Sequence, residues 1–192
     1  MNRVLKYLTL SDLFLIGAFG LVSPIFALFL ENDIQGATIA AIGIASGIYL
    51  IVKSVLQLWV SKYTDKDTGN RREFWTMLIG TIIIVITPLF YIVATDIWHI
   101  YLIQAFYGIG GALSFPGWMT IFTKFIDKKR EGFEWSLYDT IINLGAAGTA
   151  TIGGYLAESF GFEKLFFLIF VICLIGGSFL FFIRHQVIDK RK

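Results

Sequence analysis

Long stretches without a single charged residue dominate this chain, and they leave few folds open to it. Six such runs cover residues 13–30, 34–52, 74–95, 97–123, 140–157 and 165–183. A helix needs about 20 apolar residues to cross the hydrocarbon core of a bilayer. A buried helix of a soluble domain would carry a polar face, which these runs lack. Only 16% of the residues are charged, against about a quarter in a soluble domain. The expected fold is an all-α integral membrane protein of six transmembrane helices. It forms a single domain over residues 1–192, with spans near 9–30, 37–61, 74–95, 97–123, 133–157 and 165–183.

The charges between the runs set an orientation. With residue 1 inside, fourteen of the sixteen Lys and Arg residues fall on inner segments; Lys164 falls outside and Lys53 within a span. The positive-inside rule then places both termini in the cytoplasm, in a plasma or inner membrane. Trp59, Tyr63, Trp75 and Trp135 fall at the inner boundary, and Trp98, Tyr101 and Tyr155 at the outer one, where aromatic belts form. The first run is too long for the core of a cleaved signal, and no small-x-small site closes it. The single cysteine, Cys173, lies in the last run, so no intrachain disulfide or metal spacing arises. No segment between the runs is long enough to fold alone. The sequence therefore predicts no cofactor, no nucleic-acid partner and no catalytic residue set; the lipid bilayer is the expected partner.

Of the charges that fall within the expected spans, Asp12, Lys53 and Asp139 stand out. Such charges cost about 2.5–3.5 kcal/mol each on insertion scales. Asp12 reads either as a helix-start carboxylate or as a proton acceptor. Lys53 lies about 13 Å deep and Asp139 about 10 Å deep from the same side, by helical rise. Either Lys53 snorkels to the headgroups, or it shares a water-lined site with Asp139. Gln104 and Asn143 are read with equal weight as links between helices or as cavity lining. Gly43 and Gly47, Gly108 and Gly111, and Gly145, Gly148, Gly153 and Gly154 form small-residue faces that let helix backbones approach in lipid. Gly20 to Pro24 echoes Gly111 to Pro116, which hints at a 3+3 inverted repeat.

The segment Ser61 to Arg72 resembles the inner-loop signature of the major facilitator superfamily, matching at Asp65, Lys66, Gly69, Arg71 and Arg72. It departs at Ser61, by one extra residue before Gly69, and at Asn70. Gln104 stands ahead of Gly108-Ile109-Gly110-Gly111 where the family's second signature has an arginine. Thr149-Ala150 replaces the Gly-Pro of its fifth-helix pattern, so the kink typical of antiporters is not expected. The chain thus resembles one six-helix half of such a transporter. The resemblance implies secondary-active transport of a small solute by alternating access, with the inner loop acting as a gate. It also implies a second half, most simply another copy in a parallel homodimer, with span two against span five of the partner. The competing expectation is a non-transporting scaffold, or a hetero-partner or fragment of a longer transporter.

Overall fold

A computed structural model of the chain describes residues 1–66 and 69–188. Among these residues the architecture is helical throughout. The helices are α1 (Arg3–Gly20), α2 (Phe26–Asp33), α3 (Ile39–Thr64), α4 (Arg71–Ile92), α5 (Ile97–Phe125), α6 (Glu131–Phe160), α7 (Phe162–Ser178) and α8 (Arg184–Ile188). A short 3-10 turn at Ser23–Ile25 joins α1 to α2, and another at Phe179–Ile183 joins α7 to α8.

Local chemistry explains the breaks. Pro24 has no amide proton to donate and stands at the first positions of the 3-10 turn, which interrupts the first rod. Thr38 caps α3 by accepting from the Ala41 amide over 3.1 Å. Asp96 accepts from the Trp98 amide over 2.9 Å, and His99 Nδ1 accepts in return from the Asp96 amide over 3.3 Å, a reciprocal cap that starts α5. Asn70 enters α4 with φ of +58°, a left-handed conformation that asparagine tolerates well. Gly161, with φ of +83°, turns the chain from α6 into α7.

The rods pack in a definite order. α5 lies against α3 and α4, α1 lies against α6 and α7, and α4 lies against α7. One core cluster holds Phe29, Tyr91, Leu165, Phe166 and Ile169. The other holds Leu5, Leu8, Phe74, Ile121, Phe122 and Ile183, near the end that carries the basic loops. At the opposite end the α2–α3 turn is tied to the α4–α5 turn. The Gln35 amide donates to the Thr95 carbonyl over 2.9 Å, and the Ile97 amide donates to the Gln35 carbonyl over 3.0 Å.

The rods differ greatly in how much of their surface is covered. Ten residues of α4 and twelve of α5 are buried. Only Ala41, Ala45 and Thr64 are buried on α3, and only Glu134, Ile142 and Gly153 on α6. The packing glycines divide in the same way. A Cβ on Gly108 would stand 2.9 Å from the Tyr49 carbonyl oxygen. One on Gly145 would run into Leu13, and one on Gly153 would overlap the Leu21 carbonyl. Around Gly43, Gly47, Gly148 and Gly154 nothing lies within 4 Å of that position.

Among the described residues four helical stretches are apolar and long enough to cross a membrane: Arg3–Asp33, Ile39–Thr64, Arg71–Ile92 and Phe162–Ile188. α5 and α6 have 29 and 30 residues, which is about 43–45 Å of helix. Glycine and polar side chains dilute their hydropathy. The first and last rods run beyond the expected limits, to Arg3 and to Ile188. Their charged ends continue the helix past the apolar run that marks a span in the sequence.

Candidate functional site

The break in the first rod opens a cavity of about 220 Å³, lined by Phe19, Val22, Ser23, Phe26, Tyr91, Gln104 and Tyr107. Gln104 is 7% exposed and gives this largely apolar wall an amide. Tyr107 is sandwiched between two rings, with Phe19 of α1 at 5.1 Å and Tyr49 of α3 at 4.7 Å between centroids. Gly108 permits this stack, because it lets α5 close onto the α3 backbone at Tyr49. A larger apolar cleft of about 420 Å³ lies between α4 and α5, with His99 among its lining residues. It is lined by none of Asp12, Lys53 and Asp139.

Lys53 sits one turn further along α3. Its methylene stem crosses Gly111, where an added Cβ would stand 3.3 Å from Lys53 Cδ. Its ammonium lies 5.7 Å from the centre of the Tyr49 ring and 5.2 Å from that of Phe115, within cation–π range. The expected neighbour, Asp139, is on another face of the fold. Asp139 is exposed on α6 and accepts from Asn143 Nδ2 over 2.9 Å. None of the three ion pairs among the described residues involves Lys53 or Asp139.

Asp12 is placed differently from both. Tyr138 Oη donates to Asp12 Oδ2 over 2.8 Å, joining α6 to α1. Tyr138 belongs to an aromatic cluster with Trp118, Phe122 and Trp135. Asp12 is therefore a half-buried link between two rods, neither a plain helix cap nor part of the Lys53 site.

In the motif at residues 61–72, Arg72 Nη1 donates to the Tyr63 carbonyl over 3.2 Å, and its guanidinium stacks 4.8 Å above the Tyr63 ring. The arginine thereby ties the start of α4 to the end of α3. Asp65 and Lys66 are exposed, and Gly69 is partly buried before Asn70. The extra residue of the motif falls at Asp67 and Thr68, which lie outside the described residues. Arg71 lines a cavity together with Trp75, Arg184 and His185.

Two carboxylates escaped sequence reasoning. Glu73 is 2% exposed, and its Oε1 lies 3.4 Å from Lys124 Nζ, which also reaches Asn70 Oδ1. Glu134 is 4% exposed; it accepts from the Asp127 amide over 3.0 Å and lies 2.7 Å from the Met1 ammonium. Each sits in the first turn of a helix after a basic loop, where an acid reads as solvated. The usable signal was the small or aromatic residue opposite, because Gly117 packs directly on the Glu73 carbonyl. Among the described residues no group of three His, Cys, Asp or Glu side chains could hold a metal ion.

Comparisons with known proteins agree with this architecture. The profile of the Major Facilitator Superfamily matches residues 8–192. The chain is 27% identical over 183 residues to the multidrug resistance protein MdtG of Dickeya zeae, covering 91% of this chain and 43% of MdtG. It is 25% identical over 148 residues to the uncharacterized MFS-type transporter MJ1560 of Methanocaldococcus jannaschii, covering 77% of this chain and 37% of that protein. The crystal structure of the POT family transporter PepTSo superposes with a TM-score of 0.81 at 16% identity, over 98% of this chain and 38% of PepTSo. That likeness shows the fold. The chain spans less than half the length of each of these proteins.

Proposed function

The chain belongs to the Major Facilitator Superfamily, a family of multi-pass membrane transporters and not of enzymes, and on that premise we propose that it moves a small solute by alternating access between two six-helix units. In this reading all six rods cross the bilayer, α5 and α6 included, and both termini lie on the cytoplasmic side with the basic loops. The second unit is a parallel copy of the same chain. The cavity at Gln104 and Tyr107 forms part of the passage.

A 3+3 inverted repeat fits the packing. Exchanging the first three rods for the last three leaves the arrangement unchanged: α5 on α3 and α4 answers α1 on α6 and α7. Gly17 and Gly20 of α1 face Thr149 of α6, as Gly108 and Gly111 of α5 face Tyr49, Val52 and Lys53 of α3.

The observation that carries the reading is the chemistry of the two uncovered faces. On α3, Gly43, Ser46, Gly47, Leu50, Ser54, Gln57 and Ser61 recur at three- and four-residue spacing, all exposed or partly so. On α6, Ser136, Asp139, Thr140, Asn143, Ala147 and Thr151 do the same. Lipid-facing surfaces are apolar, and an exposed Asp on one is costly. Small and polar faces of this kind suit contact with another helix or with a water-filled passage. Lys53 and Asp139 lie about 16 Å and about 12 Å along their helices from the basic end. Placing α3 of one copy against α6 of another therefore brings the two opposite charges to similar depth.

The test is a charge exchange. Lys53→Asp and Asp139→Lys should each abolish co-purification of two differently tagged copies and solute uptake into proteoliposomes. The double exchange should restore both. Single variants that still pair, or a double variant that never recovers, would count against the homodimer. A chain that co-purifies only with a different six-helix protein would favour the hetero-partner, and one that pairs with nothing would favour a scaffold.

A further inference from the structure

We propose that the cavity between the start of α4 and α8 binds the phosphate of an anionic phospholipid. The cavity measures about 280 Å³ and is lined by Arg71, Trp75, Arg184, His185 and Ile188. Two guanidinium groups and an imidazole converge there, and among the described residues no carboxylate lines the cavity. No ion pair among the described residues involves Arg71 or Arg184. Three other cations at this end of the bundle are committed to the chain itself. Arg72 is held at the Tyr63 carbonyl, Lys124 at Glu73 and Lys128 at Glu131.

Two guanidinium groups facing one cavity repel each other unless an anion lies between them. Their planar forks match phosphate oxygens in paired hydrogen bonds, and the imidazole adds a donor. The walls identify the source of the phosphate. The Arg184 guanidinium lies 5.4 Å from the centre of the Trp75 ring, and Trp75 is 37% exposed. Ile188 closes another side. A tryptophan at a rod end marks the headgroup level of a bilayer. Basic pockets between membrane helices at that level take lipid phosphates. The site is independent of the transport reading, since it needs neither a second copy nor a passage.

The experiment uses the purified full chain in nanodiscs of phosphatidylcholine with phosphatidylglycerol, and native mass spectrometry of the lipid retained after release. Wild-type protein should keep phosphatidylglycerol selectively. Arg71→Gln/Arg184→Gln should hold it about tenfold less tightly or weaker. Lys128→Gln/Lys129→Gln removes the same charge from the other basic loop and should leave retention unchanged. Arg71→Lys/Arg184→Lys keeps the charge without the forks. It should bind several-fold more weakly than wild type, and it serves as the readout should the glutamine pair not fold. Equal retention by the arginine variants, or equal loss in the Lys128/Lys129 control, would overturn the site. A separate arm adds inorganic phosphate in phosphatidylcholine discs and should show no binding. Phosphate binding as tight as that of the lipid would assign the cavity to a soluble anion and overturn the lipid.

Discussion

Tyr138 of α6 donates its hydroxyl proton to the Asp12 carboxylate of α1 across 2.8 Å. Together with the contact of Glu134 to the Met1 ammonium, it ties the lightly covered α6 to the rest of the bundle. Tyr138→Phe keeps the ring in its cluster with Trp118, Phe122 and Trp135 and leaves the half-buried carboxylate one donor short. The expected loss is about 1–3 kcal/mol, read as a lower midpoint in thermal unfolding in detergent. An unchanged midpoint would show that water replaces the hydroxyl at no cost.

The glycines of α6 should separate into two kinds. Gly153→Ala places a methyl on the Leu21 carbonyl, which forces α1 and α6 apart and should cost about 1–3 kcal/mol or more. Gly148→Ala meets open space and should leave the monomer as stable as wild type. If its methyl intrudes between two copies, Gly148→Ala should nevertheless weaken their association. Unfolding midpoints and particle masses of the two variants, measured side by side, check both statements.

Glu73 and Lys124 should behave as a coupled pair. Lys124→Met leaves a carboxylate that is 2% exposed without its cation, and breaking such a pair is strongly destabilising. Lys124 itself is 44% exposed, so water offsets part of the loss and about 1–3 kcal/mol is expected. Glu73→Gln in the same chain should recover much of it. A double-mutant cycle with no coupling would contradict the pairing.

Much of this fold is legible in the sequence, because lipid forces each crossing segment to be apolar and helical. Pro24 breaks the first rod and Gly161 divides the last two, whereas Pro88 and Pro116 lie within unbroken α4 and α5. The limits of the rods are less legible. Arg3 to Leu8 and Arg184 to Ile188 are helical although charges interrupt their hydropathy. The site is legible by residue type but not by partner. Asp12, Lys53 and Asp139 stand out as charges in or beside long apolar stretches, yet nothing in the sequence says that Asp12 meets Tyr138 or that Lys53 lies over Gly111. Those contacts depend on the azimuth of each helix, which packing sets and periodicity alone does not. Glu73 and Glu134 were hidden for the opposite reason, since an acid beside a basic loop looks solvated until the neighbouring helix covers it.

The central claim is that α3 of one copy meets α6 of another. In a Cys173→Ala background, Gly47→Cys with Gly148→Cys places single thiols on the two uncovered faces, each about 26 Å along its helix from the basic end. Oxidation in native membranes should yield a disulfide-linked dimer from the paired variant and none from either single-cysteine variant. A paired variant that stays monomeric under oxidation, while both thiols remain open to a membrane-permeant reagent, would contradict the account.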